Sequence, residues 1–188
     1  MELYLVRHAQ TSINNQKRLQ GCALDPSLSY VGAVQAEKIA ERLKSVSFDM
    51  AVCSPLKRAQ ETFARIASLH EDLACCLDER IKDRDWGDLT GGSSLSIDFL
   101  NLPPEVESID SIVSRANNCF NDYFNSFLNG RILAVTHSGI IVNYLALISD
   151  TQFRVANSCV TIIKFNANAT PVLVLEPCNK HLVIPEFC

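Results

Sequence analysis

The 188-residue chain has no run approaching about 18 uncharged apolar residues, which excludes a membrane-spanning helix. Its opening shows no basic stretch leading into an apolar segment and a small-residue cleavage site, so it reads as a soluble, cytoplasmic protein with no membrane partner. The 17 basic and 21 acidic side chains give a net charge of −4 and form neither a block of like charge nor a basic stripe, which argues against nucleic acid as a partner. Cysteine is plentiful, but Cys22, Cys53, Cys75, Cys76, Cys119, Cys159, Cys178 and Cys188 make no C-x-x-C pair and no zinc-like spacing with histidine. Most of them are expected to be small, buried core residues, with Cys188 the exposed one. Repeats, low-complexity tracts and proline-glycine linkers are absent as well. A chain of this length with 47% hydrophobic residues suits one domain over residues 1–188.

What is present is an alternation of strand and helix patterns. Leu3 to Val6 reads as a buried strand, and a helix is expected from Tyr30 to Lys44 with Ser29 as its N-cap. Phe48 to Cys53 is the next strand, followed by a helix over Lys57 to Leu69 with Pro55 at its first turn. Asp78 to Glu107 is polar and irregular, carries Trp86, Gly91, Gly92, Pro103 and Pro104, and includes a candidate cover over the site at about 88–107. A long helix from Ser108 to Leu128 presents Ile109, Ile112, Val113, Ala116, Phe120, Tyr123, Phe124 and Phe127 on its apolar face. Ile132 to Thr136 is a strand and Gly139 to Ile148 a helix, with late strands over Val160 to Phe165 and Val172 to Leu175. The pattern predicts an α/β fold, a three-layer sandwich with helices on both faces of a mostly parallel central sheet.

In such sheets ligands sit beyond the carboxyl ends of the strands. Three strand ends carry matching chemistry: Arg7-His8, Ser54 to Arg58, and His137-Ser138-Gly139. A neutral imidazole is a good nucleophile toward phosphorus, and guanidinium groups hold phosphate oxygens through bidentate forks. Ser138 and Gly139 open a helix whose free N–H groups favour an anion.

Arg7-His8-Ala9-Gln10-Thr11-Ser12-Ile13-Asn14 resembles the opening motif of the histidine phosphatase superfamily, the phosphoglycerate-mutase-like group. Further blocks in order are similar to Arg18-Leu19-Gln20-Gly21, Ser54 to Thr62, His137-Ser138-Gly139 and Asn157-Ser158. The resemblance implies that His8 becomes a phosphohistidine while Arg7, Arg58 and His137 hold the phosphate oxygens, without metal or cofactor. It implies substrate contacts from Asn14, Gln20, Gly21, Ser138 and Gly139. Asp83, four residues before Gly87, matches the family's proton donor, with Glu79 as the alternative. Two departures stand out: Ala9 replaces a glycine, and Asp83 replaces the more usual glutamate.

Only Arg84, Arg115 and Arg131 are basic between Asp83 and His137, whereas the family's mutases use a longer insertion with more cations. The chain therefore resembles the short phosphatase branch, with α-ribazole and broad-specificity phosphatases as models. Its expected substrate is a small phosphorylated metabolite. Mutase-type phosphoryl transfer and a non-catalytic phosphate-binding module remain alternatives, and the oligomeric state is open, a homodimer included. Leu89 to Glu107 contains no lysine or arginine, so the cover is expected to disfavour highly anionic bisphosphates.

Overall fold

A computed structural model describes residues 1–166 and 170–182. The elements run β1 (Glu2–Arg7), α1 (Ser12–Asn15), α2 (Tyr30–Leu43), β2 (Met50–Cys53), α3 (Lys57–Ala67), β3 (Cys75–Leu77), α4 (Ile109–Ser126), β4 (Arg131–Thr136), α5 (Ser138–Leu145), β5 (Val160–Phe165) and β6 (Pro171–Cys178). They form one six-stranded sheet in the order β3-β2-β4-β1-β5-β6. The first four strands are mutually parallel where they pair, and β5 pairs antiparallel with both β1 and β6. The α/β architecture is the expected one.

Successive side chains of a strand point to opposite faces, so a strand covered on both sides must be apolar throughout. In β4, Ile132 and Ala134 pack with Ile112, Ala116 and Phe120 of α4 and Ile140 and Ile141 of α5. Leu133 and Val135 pack on the other side with Ile39, Ala40 and Leu43 of α2 and Ala59 and Ile66 of α3. These two cores make the layers and bring the ends of β1, β2 and β4 together.

Local signals set the helix starts. The Ser29 hydroxyl accepts from the Gly32 N–H, and the Ser108 hydroxyl accepts from the Ser111 N–H. Pro55 is not in the first turn of α3, because Leu56 is extended (φ −70°, ψ 135°) and the helix begins at Lys57. The cap comes from elsewhere: Asp25 Oδ2 accepts from the Lys57 N–H at 2.8 Å.

Three further expectations are corrected. Of the seven cysteines among the described residues, Cys53, Cys119 and Cys159 are buried, Cys22 and Cys178 are half-buried, and Cys75 and Cys76 are exposed. The exposed pair lies on β3, an edge strand absent from the sequence reading and too short and open to bury its side chains. Cys188 lies outside the described residues. Ile109 opens α4 at 52% exposure and does not join its apolar face. The cover is uncharged by cations but not simply polar, since Leu95, Phe99 and Leu100 are exposed on it.

Phe120 is fully buried and meets Tyr144 edge to face at 4.9 Å between ring centroids. Phe120→Ala is expected to lower unfolding free energy by about 3–5 kcal/mol in urea titration. A loss under about 1 kcal/mol would mean that α4 and α5 are not packed as described.

Candidate active site

The chain leaves β1 at Arg7 and turns into the end of the neighbouring strand, where the His8 N–H donates to Thr136 O at 2.9 Å. His8 Nδ1 lies 2.7 Å from Ala9 O. A carbonyl only accepts, so the ring proton sits on Nδ1 and Nε2 keeps its lone pair. That lone pair accepts from Arg58 Nε at 3.3 Å. Burial, then the nearby Arg58 and Arg7 guanidinium charges, hold His8 well below the usual histidine range, so it is neutral at neutral pH.

Ala9 is fully buried, and its φ is not positive, so the missing glycine creates no strain. Its N–H donates to Thr62 Oγ1 at 3.0 Å, and that hydroxyl donates to Arg58 O at 2.7 Å. Thr62 thus ties the His8 turn to the first turn of α3.

Arg58 has no exposed surface. Its Nη2 donates to Gly21 O at 2.7 Å and to Asp83 Oδ2 at 3.1 Å. Its Nη1 donates to Leu24 O at 2.9 Å, with Asp25 Oδ1 at 3.5 Å. Burial lowers its pKa, and the Asp83 and Asp25 charges oppose that shift.

His137 caps α5 from the end of β4, and its ring centroid is 5.1 Å from that of His8. Ser54 Oγ accepts from the Leu56 N–H and lies 2.7 Å from His137 Nε2, so we assign the hydroxyl proton to that bond and the ring proton to Nδ1. Burial first, then Arg58, His8 and Arg7, holds His137 well below the usual range. It is therefore neutral, and its 3.8 Å approach to Asp83 Oδ2 is not an ion pair. His137 Nδ1 and Arg7 Nε are both buried without a hydrogen-bond partner. Arg7 is anchored through Nη1 to Val155 O at 2.7 Å.

A cavity of about 420 Å³ opens over these groups, lined by Arg7, His8, Asn14, Gln20, Asp83, Ser138 and Gly139. Asn14 and Gln20 are fixed by Thr11: Asn14 Oδ1 accepts from its N–H and Gln20 Oε1 accepts from its hydroxyl at 2.8 Å. Asn157 Nδ2 donates to His8 O at 3.0 Å. Gly21 does not line the cavity. It sits at φ +56°, presents its carbonyl to Arg58, and leaves no room for a Cβ, which would lie 2.5 Å from Arg84 O. Gly139 is close-packed too, since a Cβ there would lie 3.1 Å from Asp83 Oδ1. Glu79 is not brought to the site: its side chain is 74% exposed and pairs with Lys82. Glu79 stands in the short 3-10 turn Glu79–Ile81, and Asp83, beyond that turn, lines the cavity instead.

The sequence reading missed Lys17, Arg18, Trp86, Ser94 and Arg154 on the cavity wall. Lys17 holds a left-handed backbone (φ 53°), and its carbonyl accepts from both the N–H and the hydroxyl of Ser94 at 2.8 Å. The cover is thereby joined to a basic rim formed by Lys17, Arg18 and Arg154. No signal of periodicity marks such residues. Lys17 and Arg18 stand at the Arg18-Leu19-Gln20-Gly21 block and Trp86 within the motif that ends at Gly87, whereas nothing in the sequence marks Ser94 or Arg154.

A model of the histidine phosphatase superfamily (branch 1) matches residues 3–176, and the chain belongs to that family. It is an enzyme of the phosphoric monoester hydrolase class. A Bacillus subtilis protein named uncharacterized phosphatase PhoE is 32% identical over 172 residues, covering 86% of this chain and 86% of its own. The structure of Bacillus stearothermophilus YhfR shares the fold with a TM-score of 0.88 at 24% identity, covering 97% of this chain and 99% of that one. A phosphoserine phosphatase from Entamoeba histolytica, solved in complex with 3-phosphoglyceric acid, matches with a TM-score of 0.84 at 26% identity over 97% of this chain and 99% of its own. Among the described residues no helix is long and apolar enough to cross a membrane.

Both buried imidazoles are neutral in the folded state, whereas in the unfolded chain they take up protons below about pH 6.5. The stability that depends on them is complete above that value and falls as pH drops toward the lowered folded values, by about 1.4 kcal/mol per pH unit for each histidine. Urea unfolding from about pH 7.5 down to about 5.5 is expected to show this decline, and His137→Gln is expected to make it shallower. An unchanged slope in the variant would contradict a neutral, buried His137.

Proposed function

We propose that the chain is a metal-independent phosphomonoesterase acting through a phosphohistidine on His8. The observation that carries this reading is the pair of buried, unpartnered nitrogens, Arg7 Nε and His137 Nδ1, next to a neutral His8. Buried polar groups are normally paired, and two orphaned donors beside a nucleophile suit phosphate oxygens.

His8 Nε2 attacks phosphorus, the N–P bond forms, and the ester P–O bond breaks. Arg7, Arg58 and His137 take up the charge on the equatorial oxygens as it develops. Asp83, protonated in the form that starts the cycle, delivers its proton to the departing alkoxide. Asp83 then accepts a proton from the water that attacks the phosphohistidine, releasing inorganic phosphate and restoring His8. The guanidinium groups provide the electrostatic stabilisation that metal ions supply in other phosphatases. Asn14, Gln20, Ser138 and Gly139 complete the wall around the phosphate.

The substrate is a small phosphomonoester carrying a second anionic group. Lys17, Arg18 and Arg154 line the same cavity as His8, and among the described residues no carboxylate pairs with Lys17 or Arg154. Phosphoserine and 3-phosphoglyceric acid, named for the Entamoeba histolytica protein, are molecules of this kind. The same rim would suit a substrate that takes the phosphoryl group back, so the products separate hydrolase from mutase: inorganic phosphate in the first case, an isomeric ester in the second.

With excess EDTA, wild-type protein is expected to release phosphate from para-nitrophenyl phosphate and from phosphoserine, and His8→Gln is expected to fall to background. Folded wild-type protein that binds phosphate without turnover would leave the binding-module reading instead. Lys17→Ala and Arg154→Ala are each expected to raise KM for phosphoserine about two- to fivefold, less at high salt, with little change for para-nitrophenyl phosphate. Equal effects on both substrates would refute the second anion.

A further inference from the structure

Arg115 projects from α4 to the back of the segment that carries Asp83. Its Nη1 donates to Arg80 O at 2.8 Å and to Lys82 O at 2.7 Å, and its Nη2 donates to Asp83 O at 3.3 Å. The remaining donors grip Glu107 as a fork, Nε to Oε1 at 2.7 Å and Nη2 to Oε2 at 2.9 Å. Side-chain exposure is only 19% for Arg115 and 16% for Glu107.

Glu107 extends the grip past Asp83. Its carbonyl accepts from Arg84 Nε at 2.7 Å, and its N–H donates to Asp85 O at 2.9 Å. Its carboxylate also accepts from the Asp85 N–H at 3.3 Å. One ion pair therefore holds the main chain before, at and after Asp83, and anchors the end of the cover segment to it.

This matters because an aspartate is short. Its carboxyl carbon is only two bonds from Cα, so the main chain decides how far the oxygens reach. Arg58 Nη2, at 3.1 Å from Asp83 Oδ2, fixes the carboxylate from the front. Among the described residues no cavity-wall side chain hydrogen-bonds to the main chain of Asp83, and Arg115 does not line that cavity.

We infer that Arg115 and Glu107 are a positioning pair for Asp83, setting the reach of the proton donor without touching substrate. The inference rests on Asp83 as the donor in the proposed reaction. A displacement of about an ångström in a catalytic group can cost on the order of 100-fold in rate. The loss should depend on the leaving group: a weakly basic phenolate departs with little help, whereas an alkoxide needs the proton.

The test is kcat/KM over a series from nitrophenyl phosphates to alkyl phosphates for wild type, Asp83→Asn, Arg115→Gln and Glu107→Gln. Arg115→Gln and Glu107→Gln are expected to lose less than about threefold on the activated esters and roughly 10- to 100-fold on the alkyl esters. Inhibition by inorganic phosphate is expected to stay within about twofold of wild type, since the Arg7, Arg58 and His137 cradle is untouched. Uniform losses across the series, or loss of phosphate inhibition, would overturn the inference. If Asp83→Asn itself shows no leaving-group dependence, the assignment of the donor fails. If Asp83→Asn is steep while the pair's variants are flat, only the inference fails. Should Arg115→Gln not fold, Glu107→Gln, which keeps the side-chain shape and the main-chain bonds, decides the question in the same way.

Discussion

The burial of one guanidinium governs this end of the molecule. Arg58 is placed by the first turn of α3 at the centre of the strand ends, where it has no contact with solvent. A buried cation is tolerated only when its donors are matched. The matches come from three separate segments: Gly21 and Leu24 carbonyls, the Asp25 and Asp83 carboxylates, and His8 Nε2. Satisfying Arg58 therefore folds the loop after α1 over α3 and draws the Asp83 segment inward. The Arg58 charge also adds to burial, the larger cause, in keeping His8 and His137 neutral.

The sheet supplies the other half of the arrangement. Parallel pairing of β1 and β2 with β4 brings Arg7, Ser54 and His137 to one edge. Main-chain bonds fix that edge, with the His8 N–H on Thr136 O and the Ser54 N–H on Val135 O. The proposed nucleophile and its neighbours thus stand on strand ends and helix starts, while the proposed donor and the basic rim arrive on loops. In the proposed reaction, rigid elements would hold the phosphate and loops would tune what is attached to it. The ion pair of Arg115 and Glu107 ties one of those loops to α4.

Legibility in the sequence followed the same division. Arg7, His8, Arg58 and His137 could be read because each stands at a strand-to-helix junction with a strong apolar run beside it. Asp83 was readable only through the motif ending at Gly87, and only the fold shows that it lines the cavity while Glu79 is exposed beside Lys82. Lys17 and Arg154 were unreadable because tertiary contacts, not periodicity, place them. Arg115 was passed over because the reading of α4 followed its apolar face, and a polar residue off that face is ordinarily solvated. Gly21 was assigned to the substrate, yet its carbonyl is spent on Arg58. The cysteines misled for a different reason: their type favours burial, but β3 is a short edge strand with no layer over it.

The central claim is that phosphorus passes through His8, which requires two successive displacements. The stereochemical course at phosphorus measures this directly, using an isotopically chiral thiophosphate ester hydrolysed in labelled water. Two in-line displacements predict net retention of configuration. Net inversion would mean that water attacks the ester in one step and would contradict the phosphohistidine route.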